Sequence, residues 1–303
     1  MWSSIPLADR VRVDSTTRHR DYILTDYAPA AEPTGRLQPA SLLHVLLREA
    51  ALLDRFAPVE QALRDAIGPD ETVWGAKFGP SGLQSVELYF YGAPVTGAGG
   101  DRSVSRLSAV LEELGITSPG GVDEGLPYFM CSVVLDRDAL LRGRTDGFRV
   151  YVQSGELRRK PCGVSYRIDD RGHHLENHYW FYSAADELPD ARGRLKHSPH
   201  AGSGAPWSHL VPSELTDCHT VCFATKPRAD GLYFSRVSTH ALATFLERPG
   251  PSTSAATASA AHLLRLHAED FAHLRWDLGF DFTTGARSDG SSRIHKVGIH
   301  GIF

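Results

Sequence analysis

The chain has 303 residues, of which 42% are hydrophobic and 22% charged, enough apolar material for one large packed domain or two ordinary ones. Its 32 basic and 36 acidic residues leave a formal net charge of −4, so nothing in the balance calls for a nucleic-acid partner. No apolar run reaches the length of a membrane span, and the opening MWSSIPLADRVRVD lacks the charged-then-apolar plan of a secretory signal.

In chain order, residues 1–38 hold few apolar clusters and several Pro and Arg. They read as an N-terminal arm ahead of a single domain, 39–303. Residues 40–66 place apolar side chains at helical spacing, with a break expected near Pro58. Strand signals then arrive in pairs. ETVWGAKF and LQSVELYFYG flank a Gly-Pro-Ser-Gly turn, and a helix is expected over 101–115, closed by Gly115. YFMCSVVLD pairs with GFRVYVQ, and GVSYRID with HLENHYWFY. The polar stretch 184–215 reads as loop. HTVCFATK pairs with GLYFSRVS, helices are expected over 239–247 and 259–276, and LGFDFTTG pairs with the terminal RIHKVGIHGIF. Five hairpins supply ten strands. Ten consecutive antiparallel strands with outer helices predict an α+β fold, a single closed barrel that leaves no exposed edge. A barrel that wide is hard to fill with its own side chains, so it is expected to enclose a ligand chamber.

Strand residues alternate between two faces. One face is mostly aliphatic or Phe, as in Val86, Leu88 and Phe90, and suits packing against helices. The other is cationic and aromatic, and its two possible destinations are bulk water and the chamber. Tyr89, Tyr91, Tyr151, Trp180, Tyr182 and Tyr233 are costly to leave in water, which favours the chamber. On the final strand the same division sets Lys296, Gly298 and His300 apart from Val297 and Ile299, with Gly298 leaving room for a phosphate between the two polar groups. Lys77, Arg149, Arg167 and Lys296, joined by Lys226 and Arg236, would converge on an anion such as a diphosphate. Aromatic faces would shield an allylic cation by cation–π attraction and by excluding water.

A rival reading takes His174, Glu176 and His178 as an H-x-E-x-H metal set on one strand face, as in a cupin-like enzyme. A third is a noncatalytic barrel that binds an apolar ligand or a leader peptide. H-E-x-x-H, G-x-S-x-G, a Gly-rich phosphate loop and an aspartate-rich DDxxD are all missing from the sequence. Cys131, Cys162, Cys218 and Cys222 follow no disulfide or zinc spacing and read as reduced thiols of a cytoplasmic protein.

The order of elements over 45–303 resembles the ABBA prenyltransferases. The features that carry it are CHTVCFATKPRADGLYFSRVSTHALATFLE with the helix and closing hairpin that follow, the VELYFY strand, and the meander over 128–182. Within that family the chain most resembles the cyanobactin-type peptide prenyltransferases. The resemblance implies a PT barrel that binds dimethylallyl or geranyl diphosphate with Mg2+ assisting. It implies transfer of the prenyl group to a Tyr, Trp, His or Arg side chain of a ribosomal peptide, or to a small aromatic molecule. By strand position it implies Lys77, Arg149, Lys296 and His300 as diphosphate ligands and Tyr151, Tyr182 and Tyr233 as shield. Glu87, or Glu71 at the strand entrance, would be the acceptor-activating base. A monomer is expected.

Overall fold

The computed structural model describes residues 4–68, 72–92, 101–119, 125–157, 160–200, 207–248, 254–284 and 292–302. Glu71, one of the two expected bases, lies outside them.

Ten strands close into one antiparallel barrel in strict sequence order, the tenth pairing with the first. They are β1 (Thr72–Gly79), β2 (Gly82–Tyr91), β3 (Met130–Asp136), β4 (Phe148–Leu157), β5 (Lys160–Asp169), β6 (Gly172–Ser183), β7 (Thr220–Thr225), β8 (Asp230–Ser238), β9 (Arg275–Thr284) and β10 (Ser292–Ile302). This is the architecture expected from the five hairpins. Because the strands alternate in direction, the β1–β2, β3–β4, β5–β6, β7–β8 and β9–β10 connections lie at one end of the barrel, the second of them carrying the short helix over Arg137–Arg142. The long connections that follow β2, β6 and β8 lie at the other, with the short link between β4 and β5.

Outside the barrel run α1 (Ala40–Glu49), α2 (Leu53–Ile67), α3 (Val104–Glu113), α4 (Arg137–Arg142), α5 (Leu188–Leu195), α6 (Trp207–Leu210), α7 (Thr239–Leu246) and α8 (Ala255–Leu266). They pack in a chain, α3 on α2, α2 on α1, α1 on α8 and α8 on α7, with α7 against β8 and β9 and α8 against β2. The outward strand residues Trp74, Phe78, Leu88, Phe90, Phe148, Val150, Phe223, Phe280 and Phe282 are buried beneath this layer in one apolar cluster. The principal core is therefore the annulus between sheet and helices, and the lumen is left for something else.

Three local expectations change. The break in the first helical stretch falls at residues 50–52, where Ala51 takes a left-handed φ of 56°, and Pro58 sits inside α2 at the cost of one backbone hydrogen bond. The polar stretch 184–215 holds α5, α6 and a short 3-10 turn over Ser213–Leu215. The last outer helix stops at Leu266 and does not continue to Trp276, which lies in β9. Residues 267–274 form turns that hold the arm. The His267 ring accepts from the Ile5 amide at 3.1 Å and meets Asp270 at 2.9 Å, and the carbonyls of Asp270 and His273 accept from the amides of Leu37 and Ala30. The arm is thus fastened to the domain, with Ile5 and Leu37 buried in the main core.

Candidate active site

The lumen contains a cavity of about 1080 Å3, at the upper end of the usual range for ligand pockets. Inward alternation brings Lys77 from β1, Glu87, Tyr89 and Tyr91 from β2, and Arg149 and Tyr151 from β4 to its wall. Tyr233 arrives from β8, Asp277 and Asp281 from β9, and Lys296 and His300 from β10. The chamber reading of the cationic and aromatic face therefore holds for these strands.

It fails on β6. Tyr166 pairs with Leu175 and Ser165 with Asn177, so Glu176 is an extra residue in β6 and forms a bulge. One inserted residue reverses the facing of everything beyond it. Glu176 and Asn177 both line the chamber, followed by Tyr179 and Phe181. Trp180 and Tyr182, expected as shield, point outward instead. Trp180 lies under the Arg194 guanidinium, 3.6 Å from its ring centroid, and Tyr182 is buried in the outer core. Tyr179 is the aromatic wall residue that alternation missed.

The same bulge dismantles the proposed metal set. His174 is engaged by Asp169 at 3.0 Å, Glu176 accepts from Arg149 at 2.9 Å, and His178 stacks on Trp180. Among the described residues no group of three His, Cys, Asp or Glu is placed to hold a metal ion.

The wall residues separate into two tiers. Nearer the hairpin connections lies a cationic tier. Lys226 donates to Asp281 at 2.5 Å and to the Tyr233 hydroxyl at 2.8 Å, while Lys296 reaches the other Asp281 oxygen at 3.2 Å. Arg149 spans Glu176, and its Nη1 is buried without a hydrogen-bond partner. Arg167, opposite Arg149 across β4 and β5, pairs with Asp169 at 3.0 Å at the half-exposed mouth. Lys77 donates to Glu87.

Burial, together with the charges of Lys77 and Lys226, lowers the Lys296 pKa to about 8 even with Asp281 in contact. Burial alone would raise the Asp281 pKa, but Lys226 and Lys296 bring it down to about 2. The carboxylate of Glu87 is 1% exposed. Burial alone would push its pKa up, yet Lys77 and Arg149 hold it well below the usual carboxylate range. It also accepts from Ser132 at 2.5 Å, Tyr89 at 2.9 Å and Tyr151 at 3.3 Å. Asp281 and Asp277 carry no periodic signal in the sequence strong enough to single them out, and Lys226 has one only as a companion of the other cations.

Deeper lies an aromatic tier of Tyr89, Tyr151, Tyr179 and Tyr233, whose ring centroids stand 6.2–6.4 Å apart in a chain. His300 belongs here. Its ring meets those of Tyr89 and Tyr22 at 5.8 and 5.5 Å, and burial, reinforced by Lys77, depresses its pKa to about 3. It is a neutral imidazole, unsuited to the ionic diphosphate role expected of it. Gly298 leaves room for this ring, whose Cε1 would lie 3.2 Å from an added Cβ, and so does Gly75, where the figure is 2.5 Å for Cδ2. The space expected for phosphate holds imidazole. Gly279 similarly admits the Tyr233 ring. Arg236 leaves the site altogether. It sits in the β8 bulge with φ 60° and binds Asp21 of the arm at 2.8 Å.

No family model and no curated protein matches the chain. Among solved structures, one that is similar is the 5-dimethylallyl tryptophan synthase from Streptomyces coelicolor in complex with DMASPP and Trp. It has a TM-score of 0.42 and 13% identity, over 86% of this chain and 92% of that one.

Proposed function

We propose that the protein transfers a dimethylallyl or geranyl group from its diphosphate to a nucleophilic acceptor inside the barrel. The observation that carries this reading is the crowding of Lys77, Lys226 and Lys296 with Arg149 around an enclosed cavity. Those four cations face three carboxylates, Glu87, Glu176 and Asp281, which leaves the tier with a positive charge to spare, and burial together with Lys77 and Lys226 lowers the Lys296 pKa to about 8. A diphosphate balances that charge and gives the orphaned Arg149 Nη1 an acceptor. Directly beneath, the tyrosine tier offers π-faces to a carbon chain bearing developing positive charge.

In the reaction the bond between the allylic carbon and the diphosphate oxygen breaks, and its electron pair leaves with the diphosphate toward Lys226, Lys296 and Arg149. The acceptor nucleophile donates the pair that forms the new bond to carbon. Glu87, held ionised, accepts a hydrogen bond from the acceptor X–H in place of the long one from Tyr151 at 3.3 Å and orients it. The depressed pKa of Glu87 makes it a poor resting place for the proton, which passes to the more basic diphosphate product. Lys77 positions Glu87.

Mg2+ enters this scheme only as a companion of the diphosphate. The chamber carboxylates do not fit a resident ion, because Asp281, Glu176 and Glu87 are each engaged by cationic side chains and Asp277, toward the arm, belongs to no group of three possible ligands among the described residues.

A peptide side chain is the first acceptor class. Leu175, toward the hairpin end, borders the cavity and is roughly half exposed, an apolar edge on which a segment longer than a small molecule can pack. A small aromatic acceptor is the second, favoured by the arm's occupation of one end of the lumen. Incubation with each prenyl diphosphate, Mg2+ or EDTA, and a panel of cyclic and linear peptides and small phenols and indoles, read by mass, tests both. Gain of a C5 or C10 unit identifies the acceptor class; no gain on any acceptor refutes prenyl transfer.

A further inference from the structure

The arm is fastened to the outside of the domain at Ile5 and Leu37, yet between those anchors it enters the barrel. Residues 19–27 fold into a self-contained turn. Tyr27 N donates to His19 O at 2.9 Å, Asp21 N to Thr25 O at 3.1 Å, and the Asp21 carboxylate accepts from the amides of Ile23 and Thr25 at 3.2 and 3.0 Å. Arg20 and Asp26 close it with an ion pair at 2.8 Å. Three contacts lock the turn to the wall: Asp21 with Arg236, the Tyr91 hydroxyl with the Tyr22 carbonyl, and the Tyr27 hydroxyl with the Arg275 backbone. At the tip, the Tyr22 ring meets Tyr89, Tyr91 and His300 at 5.4, 6.2 and 5.5 Å. All three of those residues face the lumen. Tyr22 and Ile23 line the cavity, at the end remote from the cationic tier.

We propose that this turn is the floor of the chamber and that the Tyr22 ring limits how far an apolar tail can descend once its anionic head is held by the lysines. The proposal deepens, and rests on, the reading of the chamber as a site for an anion with an apolar tail. It makes Tyr22, a residue outside the barrel strands, a determinant of chain-length specificity.

A ladder of n-alkyl phosphates, from butyl to dodecyl, titrated by calorimetry tests the floor without requiring turnover. In the wild type, affinity rises about fourfold per methylene until the tail meets the floor, then stops rising. Tyr22→Ala moves that plateau to a longer chain by several methylenes, and Tyr22→Phe leaves it in place because the ring sets the depth. Should the alanine variant fail to melt cooperatively, Tyr22→Leu is read instead, with a smaller shift. An identical plateau in the wild type and in the shortened variant overturns the proposal, as does a wild type whose affinity ignores chain length. A ladder that behaves as stated, in a protein that transfers no prenyl group, keeps the floor and refutes the enzymatic reading. If transfer occurs, Tyr22→Ala also raises the ratio of geranyl to dimethylallyl kcat/KM.

Discussion

Lys296 and His300 stand on the same face of the same strand, about 13 Å apart at roughly 3.3 Å per residue. His300 is buried and the Lys296 side chain is 35% exposed, and loss of water pulls both pKa values down, to about 3 and about 8. The outcomes differ because their surroundings differ. Lys296 shares Asp281 with Lys226, so it keeps its charge at neutral pH while remaining under pressure from neighbouring cations. His300 is enclosed by Tyr22 and Tyr89 and loses its charge. Two polar residues that look equivalent in the sequence thus divide the chamber into a tier that attracts an anion and a tier that accepts an uncharged or π-stabilised group.

The most severe way to break this division is at the hinge between the tiers. Glu87→Ala leaves Lys77 buried without its carboxylate and strips the Tyr89, Tyr151 and Ser132 hydroxyls of an acceptor. A loss of about 3–5 kcal/mol is expected, measured by urea unfolding; Glu87→Gln, which keeps the shape, is expected to lose less.

Within the cationic tier, Lys296→Met should weaken binding of inorganic diphosphate roughly tenfold to a hundredfold, the worth of one charge-assisted hydrogen bond. Calorimetry at pH 7 reads this directly. The same lysine sets a pH dependence. With a folded pKa near 8 and an unfolded value of 10.5, Lys296 has lost its proton in the folded protein between those limits while the unfolded chain still holds it. Diphosphate affinity therefore falls as pH rises through about 8, and stability from this group rises from pH 8 to 10.5. Lys296→Met should remove that inflection in the affinity profile.

In the aromatic tier the sign is worked out on a neutral group. His300 stays unprotonated in the folded protein down to about pH 3, whereas the unfolded chain takes up a proton below about 6.5. Its contribution to stability is present above 6.5 and is lost as pH falls toward 3. His300→Phe should flatten part of the acid loss in urea midpoints measured from pH 7 to pH 4. The smallest effect belongs outside the chamber. Trp180→Ala should leave diphosphate binding within about twofold of wild type, inside the scatter expected of a surface change. A large loss of affinity would restore Trp180 to the interior and refute the reversed facing of β6.

Much of this molecule is written in its periodicities. Alternation along VELYFY and RIHKVGIHGI, punctuated by Gly-Pro-Ser-Gly and Asp-Arg-Gly turns, is enough to order ten strands. It also turns Lys77, Glu87, Tyr89, Arg149, Tyr151, Tyr233 and Lys296 inward, because a strand in a covered sheet has only two faces to offer. Alternation is blind to a bulge. The single extra residue Glu176 exchanged Trp180 for Tyr179, and nothing in HLENHYWFY marks where the pairing slips, since that depends on the register with β5. Nor can one strand announce its neighbours. Asp281 matters because Lys226 and Lys296 arrive from β7–β8 and β10, and His300 is neutral because the arm delivers Tyr22 from almost three hundred residues away. The sequence by itself determined the barrel and the chemistry of its inner face, through short-range patterns that local sterics and burial enforce. Which charges pair, which imidazole is silenced and where the chamber ends were decided by tertiary structure, because dielectric and ion pairing depend on groups that only folding brings together.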